Sequence, residues 1–522
     1  MKQLFFILFV LLPIPSFADY WNGTSSDKSW YDSSKDEFYI NTASELKGLS
    51  DLVLEKNTFE GKTIHLMTDI NLNFQQWQPI GVNHWIPFKG TFNGHNHKIS
   101  NVLITVKNDN SINYRRGSDG LFGEISNALI MNLECDVHIN LQEDATGSLG
   151  QNTGGLVGNC TSSAIENITI STIMTIGTDY SAQRAFLGGV VGYSSSSEIK
   201  NVLATGSISM NTGSMISIAD ASYIGGIAGF ANSICQADSR VNISTGSYIS
   251  YNERMIIGGI AGSCSNIQNV IYSGNLDFYL SSKIGDMAGG IAGSSQSINY
   301  AISCPTGFNF NGTYPTFGRM ISPQCSDVQN AFYVDALGFT DEHGNSVSQD
   351  YITSGTVLGS FDTNIWKFRK DALPQIKTLI PKCWIETSTE HGIIGFLVEE
   401  GETAQIRINN DDGWEISSVF ANDIDVTPTL ESNYLSLKDV NENIRISIIY
   451  KATSGIKNNA VSNKKIRIEG KKIILDGFND NTQIQIYDTE GKLLKTVHSR
   501  TFILNRGVYV LRVGKESYKI SI

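Results

Sequence analysis

Gly154-Gly155-Leu156-Val157-Gly158 is the first of five closely similar pentapeptides in this chain. The others are Gly188-Gly189-Val190-Val191-Gly192, Gly225-Gly226-Ile227-Ala228-Gly229, Gly258-Gly259-Ile260-Ala261-Gly262 and Gly289-Gly290-Ile291-Ala292-Gly293. Their starts lie 34, 37, 33 and 31 residues apart, and a looser copy, Asp119-Gly120-Leu121-Phe122-Gly123, begins 35 residues before the first. A repeat of this length marks stacked units that share one continuous core. Working outward, a polar stretch follows each copy, and then an apolar step: Ile165-Glu166-Asn167-Ile168, Ile199-Lys200-Asn201-Val202 and Ile267-Gln268-Asn269-Val270. Copies three and five carry Gln236-Ala237 and Tyr300-Ala301 at that place.

Short apolar runs bounded by Gly, Ser and Asn are strand signals, and nothing in the repeats keeps a helical period. The pattern predicts an all-β parallel β-helix. Leu156, Val190, Ile227, Ile260 and Ile291 would stack in one internal row, and Asn167, Asn201 and Asn269 in a side-chain ladder. The repeat glycines would sit at corners where neighbouring coils approach closely. A phosphate cradle is the other use of glycine-rich turns, but it needs a following helix and, in Walker loops, Lys with Ser or Thr. Polar turns and further strands follow instead, so no cofactor is expected.

The repeats with their trailing Ile-x-Asn-Val resemble the GLUG-motif family of secreted bacterial proteins, over about 119–301. A leader similar to the one before such repeats extends the resemblance back to residue 38. It comprises the capping box Thr42-Ala43-Ser44-Glu45, Trp77-Gln78-Pro79-Ile80-Gly81, Gly90-Thr91-Phe92-Asn93-Gly94 and His97-Lys98-Ile99-Ser100-Asn101-Val102. Trp366 with Leu373-Pro374-Gln375-Ile376-Lys377 resembles the stop that closes these stacks. The β-helix is therefore expected over 38–380, with an N-terminal helix lying across its open end.

Lys2, the apolar run 4–12 and Ser16-Phe17-Ala18 read as a signal peptide over 1–18, followed by a linker over 19–37. Export is the expectation, with no transmembrane segment in the mature chain, because no later run reaches about 18 apolar residues. The net charge of −12 argues against nucleic acid as a partner. Among seven cysteines, Cys304 and Cys325 are the pair to consider for a disulfide. Cys160 and Cys264 would lie three coils apart, roughly 14 Å, too far to bridge.

Beyond residue 383 the texture becomes alternating strands, read as two small antiparallel β-sandwich domains, an immunoglobulin-like one over 383–452 and a C-terminal one over 461–522. In the latter, Ile484-Gln485-Ile486-Tyr487-Asp488-Thr489-Glu490-Gly491-Lys492 and Gly507-Val508-Tyr509-Val510 resemble the C-terminal sorting domain of the type IX secretion system of Bacteroidota. That resemblance implies the secretion machinery as a partner and an outer-membrane or extracellular destination.

Chemistry-bearing residues are sparse. His95 and His97 are two apart with His84 nearby, a spacing that neutral imidazoles can use for metal, yet they read as a turn. Acidic residues in the repeats are Glu166, Asp179, Glu198, Asp220, Asp238, Glu253, Asp277 and Asp286. Glu166 and Glu198 fall on neighbouring turns at different repeat positions. No nucleophile motif appears, and Cys264 has no partnered His. No catalytic, cofactor or metal residue is assigned, and the fifteen repeat glycines are assigned a structural role. The expectation is an adhesin-like, non-enzymatic binding protein, its lateral surface and variable arcs (211–223, 245–255, 306–317) taking a glycan or protein ligand. A polysaccharide lyase or hydrolase is one alternative, requiring two carboxylates on adjacent coils. An accessory role beside a secreted peptidase is another, since GLUG repeats also occur in such systems.

Overall fold

The computed structural model describes residues 21–106, 117–141, 151–177, 181–210, 217–245, 254–279, 286–311, 320–334, 341, 343–355, 361–389, 392–408, 414–431, 434–452, 465–479, 482–514 and 516–522. The expected signal segment lies outside them, as do 211–216, 246–253 and 312–317 of the three arcs. The chain forms two compact units, 1–379 and 380–522.

The first unit is a parallel β-helix. Its longest face stacks eight strands: β1 (Thr91–Val106), β2 (Leu129–Leu141), β3 (Ala164–Ile176), β4 (Glu198–Met210), β5 (Ala228–Ser239), β6 (Ala261–Tyr272), β7 (Ala292–Ser303) and β8 (Cys325–Val334). Each pairs in parallel with the next. A second, six-stranded parallel sheet carries the residues that lead into each Gly-Gly corner, and there Gly154, Gly188, Gly225, Gly258 and Gly289 stand in register. Leu156, Val190, Ile227, Ile260 and Ile291 are fully buried and linked rung to rung by backbone hydrogen bonds of 2.8–3.0 Å, so the internal row is present.

The repeat glycines work by closeness and not by backbone freedom, since none has a left-handed φ. A Cβ on Gly226 would sit 2.3 Å from the carbonyl oxygen of Gly259, and one on Gly259 would sit 2.2 Å from that of Gly290. The left-handed positions fall on the polar corner instead. Asn132, Asn167, Asn201, Gln236, Asn269, Tyr300 and Asn330 occupy successive coils with φ between 49° and 56°. Asn tolerates this region because its short side chain bonds locally. The Nδ2 of Asn167 donates to Asn132 Oδ1 at 3.0 Å, and that of Asn201 to Asn167 Oδ1 at 3.1 Å. The ladder does not reach Asn269, however, because Gln236 stands between.

The helix α1 (Ala43–Leu54) starts at its capping box, with Glu45 N donating to Thr42 Oγ1 at 3.2 Å and Thr42 N to Glu45 Oε2 at 2.9 Å. Leu46, Leu49, Leu52 and Val53 are buried in the same core as Phe38, Ile64 and Trp77. At the far end, Phe361, Trp366 and Ile376 pack with Ile271 and Ile302 of β6 and β7, so the 361–376 segment lies against the outside of the coils.

In the second unit the two expected modules are joined through a shared sheet. One nine-stranded sheet runs through both expected modules. Within it β9 (Lys382–Thr389) pairs with β10 (Ile444–Ala452), and β10 pairs antiparallel with β12 (Glu516–Ser521), which also pairs with β11 (Val508–Val513). The physical reason is burial on both sides. Ile520 and Ile522 are fully buried, and Ile449 of β10 packs in the same cluster as Ile520. A second cluster, with Cys383, Val419 and Leu435, fills the rest of the earlier module.

Candidate functional site

Two residues break the asparagine column, and both line one groove. Gln236 and Tyr300 hold φ of 55°, a conformation that costs a residue other than Gly or Asn on the order of 1 kcal/mol. The groove, about 660 Å3, crosses β4 to β7 beside the 361–365 segment. Lys200, Cys235 and Gln268 stand opposite one another on successive coils, with Gln236 and Asn269 next to them and Tyr300 at the far end. Tyr300 meets Phe361 edge-on at 5.7 Å, which gives a reason for an aromatic residue in a strained place. At about 4.8 Å per coil the polar row spans about 14 Å.

The groove is lined by unused hydrogen-bonding groups. The side chains of Lys200, Gln236, Gln268 and Asn269 make no hydrogen bond among the described residues. Asn269 is 7% exposed, so its amide is nearly buried and open toward the groove. A hydroxyl-bearing ligand can take the place of solvent at such a group. Charge is mixed, since Asp362 lines the groove with Lys200 and Glu198 lies beside it. Burial, with Glu198 Oε1 only 3.5 Å from its Sγ, pushes the Cys235 thiol up to about 12, which disfavours the reactive thiolate.

The expected site residues do not converge. His95 meets His65 at 2.8 Å, and His65 meets Glu37, whereas His97 meets Asp69 at 3.0 Å. His95 and His97 thus have separate partners, and no metal-holding cluster forms among the described residues. Glu166 stands opposite Lys200 and Glu198 opposite Ala164, so the two carboxylates are out of step on adjacent coils. Asp238 is buried against Arg240 at 2.7 Å, and Asp286 accepts from Met255 N at 2.8 Å. Asp179, Glu253 and the side chain of Asp220 lie outside what is described. The cysteines are all free thiols. Cys304 and Cys325 do not pair: Cys304 Sγ faces Tyr272 O at 3.4 Å, while Cys325 Sγ faces Asp327 O at 3.4 Å. Burial pushes Cys160 up to about 11 and Cys264 up to about 12.

Two features near the Gly-Gly corners bear on chemistry. Glu124 is pushed up to about 7 by burial, although Ser118 donates to it at 3.1 Å and Asn159 at 2.6 Å. Further along, Phe186 stacks on Tyr223 at 4.9 Å and Tyr193 on Phe230 at 5.0 Å. These rings spend their faces on one another, so they stabilise adjacent coils and leave little face for a ligand.

Against known proteins, no family model matches the chain, and no curated protein does. Among solved structures, it is similar to the crystal structure of a candidate immunoglobulin A1 protease from Bacteroides ovatus. The identity is 16%, covering 66% of this chain and 94% of that one, with a TM-score of 0.35. No helix among the described residues is long and apolar enough to cross a membrane.

Proposed function

We propose that this chain is an exported, adhesin-like binding protein without catalytic activity, and that its β-helix groove takes an uncharged glycan. Asn269 carries the reading. A nearly buried amide, unbonded among the described residues, faces a groove whose other free groups are also amides and an amine. Such a set matches hydroxyl groups, which both donate and accept. The groove's one amine, Lys200, stands with Asp362 and Glu198, and its lining has no guanidinium fork to match a sugar carboxylate. The open, polar form of the groove suits recognition through hydrogen bonds more than a protein's apolar anchor.

The resemblance to GLUG-motif proteins and to the type IX sorting domain supports export to the cell surface. The lyase or hydrolase alternative has little support, since Glu166 and Glu198 are out of step and Glu124 is bonded to a serine and an asparagine. Screening the full chain against immobilised neutral glycans, acidic glycans and matrix proteins tests the proposal. Retention on neutral glycans supports it. Retention on proteins alone, or on nothing, sinks it, as does turnover of any bound glycan.

A further inference from the structure

The second unit holds a cleft of about 450 Å3, independent of the groove in the β-helix. Glu386 on β9 stands opposite Arg445 on β10. Arg445 Nε donates to Glu386 Oε1 at 2.9 Å, and Arg506 Nη2 approaches the same oxygen at 3.0 Å. Two guanidinium groups therefore share one carboxylate oxygen. The N–H groups of both that do not face Glu386 have no partner among the described residues. Trp384, 39% exposed, forms a flat wall and turns its indole N–H toward Glu386 Oε2 at 3.3 Å.

The surroundings are fixed in place. Asn443 Oδ1 accepts from Trp384 N at 2.7 Å, and Asn422 Oδ1 from Arg445 N at 2.9 Å. Asp423 also lines the cleft, with its Oδ1 held by Gly470 N at 2.8 Å. The lining is polar apart from Trp384 and Ile444, with no apolar pocket for a peptide side chain.

We propose that this cleft binds a sugar carboxylate, as in a uronic acid, between Arg445 and Arg506 with the sugar ring lying on Trp384. Guanidinium groups suit this chemistry because their N–H forks match the two oxygens of a carboxylate. An aromatic face beside them supplies contact for the ring's C–H surface. Glu386 then acts as an internal counter-ion that holds both arginines ready while the cleft is empty.

The test is calorimetric titration of the full chain with a galacturonate trimer, its methyl ester, and a tripeptide with a free C-terminal carboxylate. The trimer should bind saturably, at least tenfold tighter than the ester or the peptide, and weaken as salt rises. Arg506→Gln should weaken it at least tenfold while leaving the melting temperature of the chain in place, and Trp384→Ala should weaken it at least tenfold in a chain that circular dichroism shows still folded. Glu386→Gln should tighten binding, because removing the internal anion leaves both arginines for the ligand. No binding of the trimer, equal binding of the ester, preference for the peptide, or weakening by Glu386→Gln would each overturn the proposal.

Discussion

Gly226→Ala isolates what the repeat glycines do. Gly226 has no left-handed φ, so alanine brings no backbone penalty, only the volume of one methyl group. That methyl carbon would lie 2.1 Å from Ser239 Oγ and 2.3 Å from Gly259 O. The serine hydroxyl can rotate away, but the carbonyl cannot. Gly259 N bonds Gly290 O on the next coil, and a Cβ on Gly259 itself would meet that carbonyl at 2.2 Å. Relief therefore requires adjacent coils to separate, which breaks backbone hydrogen bonds along the column. Overpacking in a core costs about 1–3 kcal/mol and sometimes more, and a rigid backbone neighbour places Gly226 at the upper end. We expect about 3 kcal/mol for alanine and a larger loss for Gly226→Val. Gly470→Ala is the control, because its Cβ meets nothing within 4 Å and only the φ of 58° is strained, worth about 1 kcal/mol. Urea unfolding followed by far-UV circular dichroism reads both. A loss below about 0.5 kcal/mol for Gly226→Ala, the size of a neutral surface change, would refute the close-approach account.

Other outcomes follow from single observations. Asn201→Ala, losing the bond to Asn167 and keeping a φ of 52°, should cost about 2 kcal/mol, and Asn201→Gly about half that. Tyr300→Asn relieves a φ of 55° but loses the edge-on contact with Phe361, so its stability should stay within about 1 kcal/mol of the native chain while ligand retention weakens. Glu124, ordinarily near 4.5 and raised to about 7, holds its proton more tightly when folded. Its stabilising contribution is thus present below 4.5 and lost as pH rises through 7, on the order of 3 kcal/mol, and Glu124→Gln should flatten that part of a stability-versus-pH curve. Deleting 464–522 removes β12, the partner of β10, so the remaining 380–452 segment should not give a folded monomer by size-exclusion and NMR. Secretion assays of the sorting role therefore need surface substitutions rather than truncation.

The coil architecture was legible because it is periodic. Each repeat glycine and each inward aliphatic residue recurs where its neighbour needs it, and the register follows from the spacing. The reason for the glycines was only half legible, since close approach depends on the carbonyl of the next coil, which sequence does not display. The groove left a readable trace in Gln236 and Tyr300, the two departures from an asparagine column. Without φ values those departures look like ordinary repeat variation, and the 361–365 segment that completes the groove lies far along the chain. The C-terminal pairing of β10 with β12 was hidden for a similar reason. Alternation marks a strand but does not say which strand lies beside it.

The most direct measurement is the retention of a Gln268→Ala/Asn269→Gly double variant on the neutral glycans that hold the native chain. Glycine keeps the left-handed corner at 269 while removing the amide, so the coil should survive with little change in melting temperature. The account predicts that retention falls at least tenfold in a variant that remains folded. Retention equal to that of the native chain would contradict it, because the groove's free amides would then contribute nothing to binding.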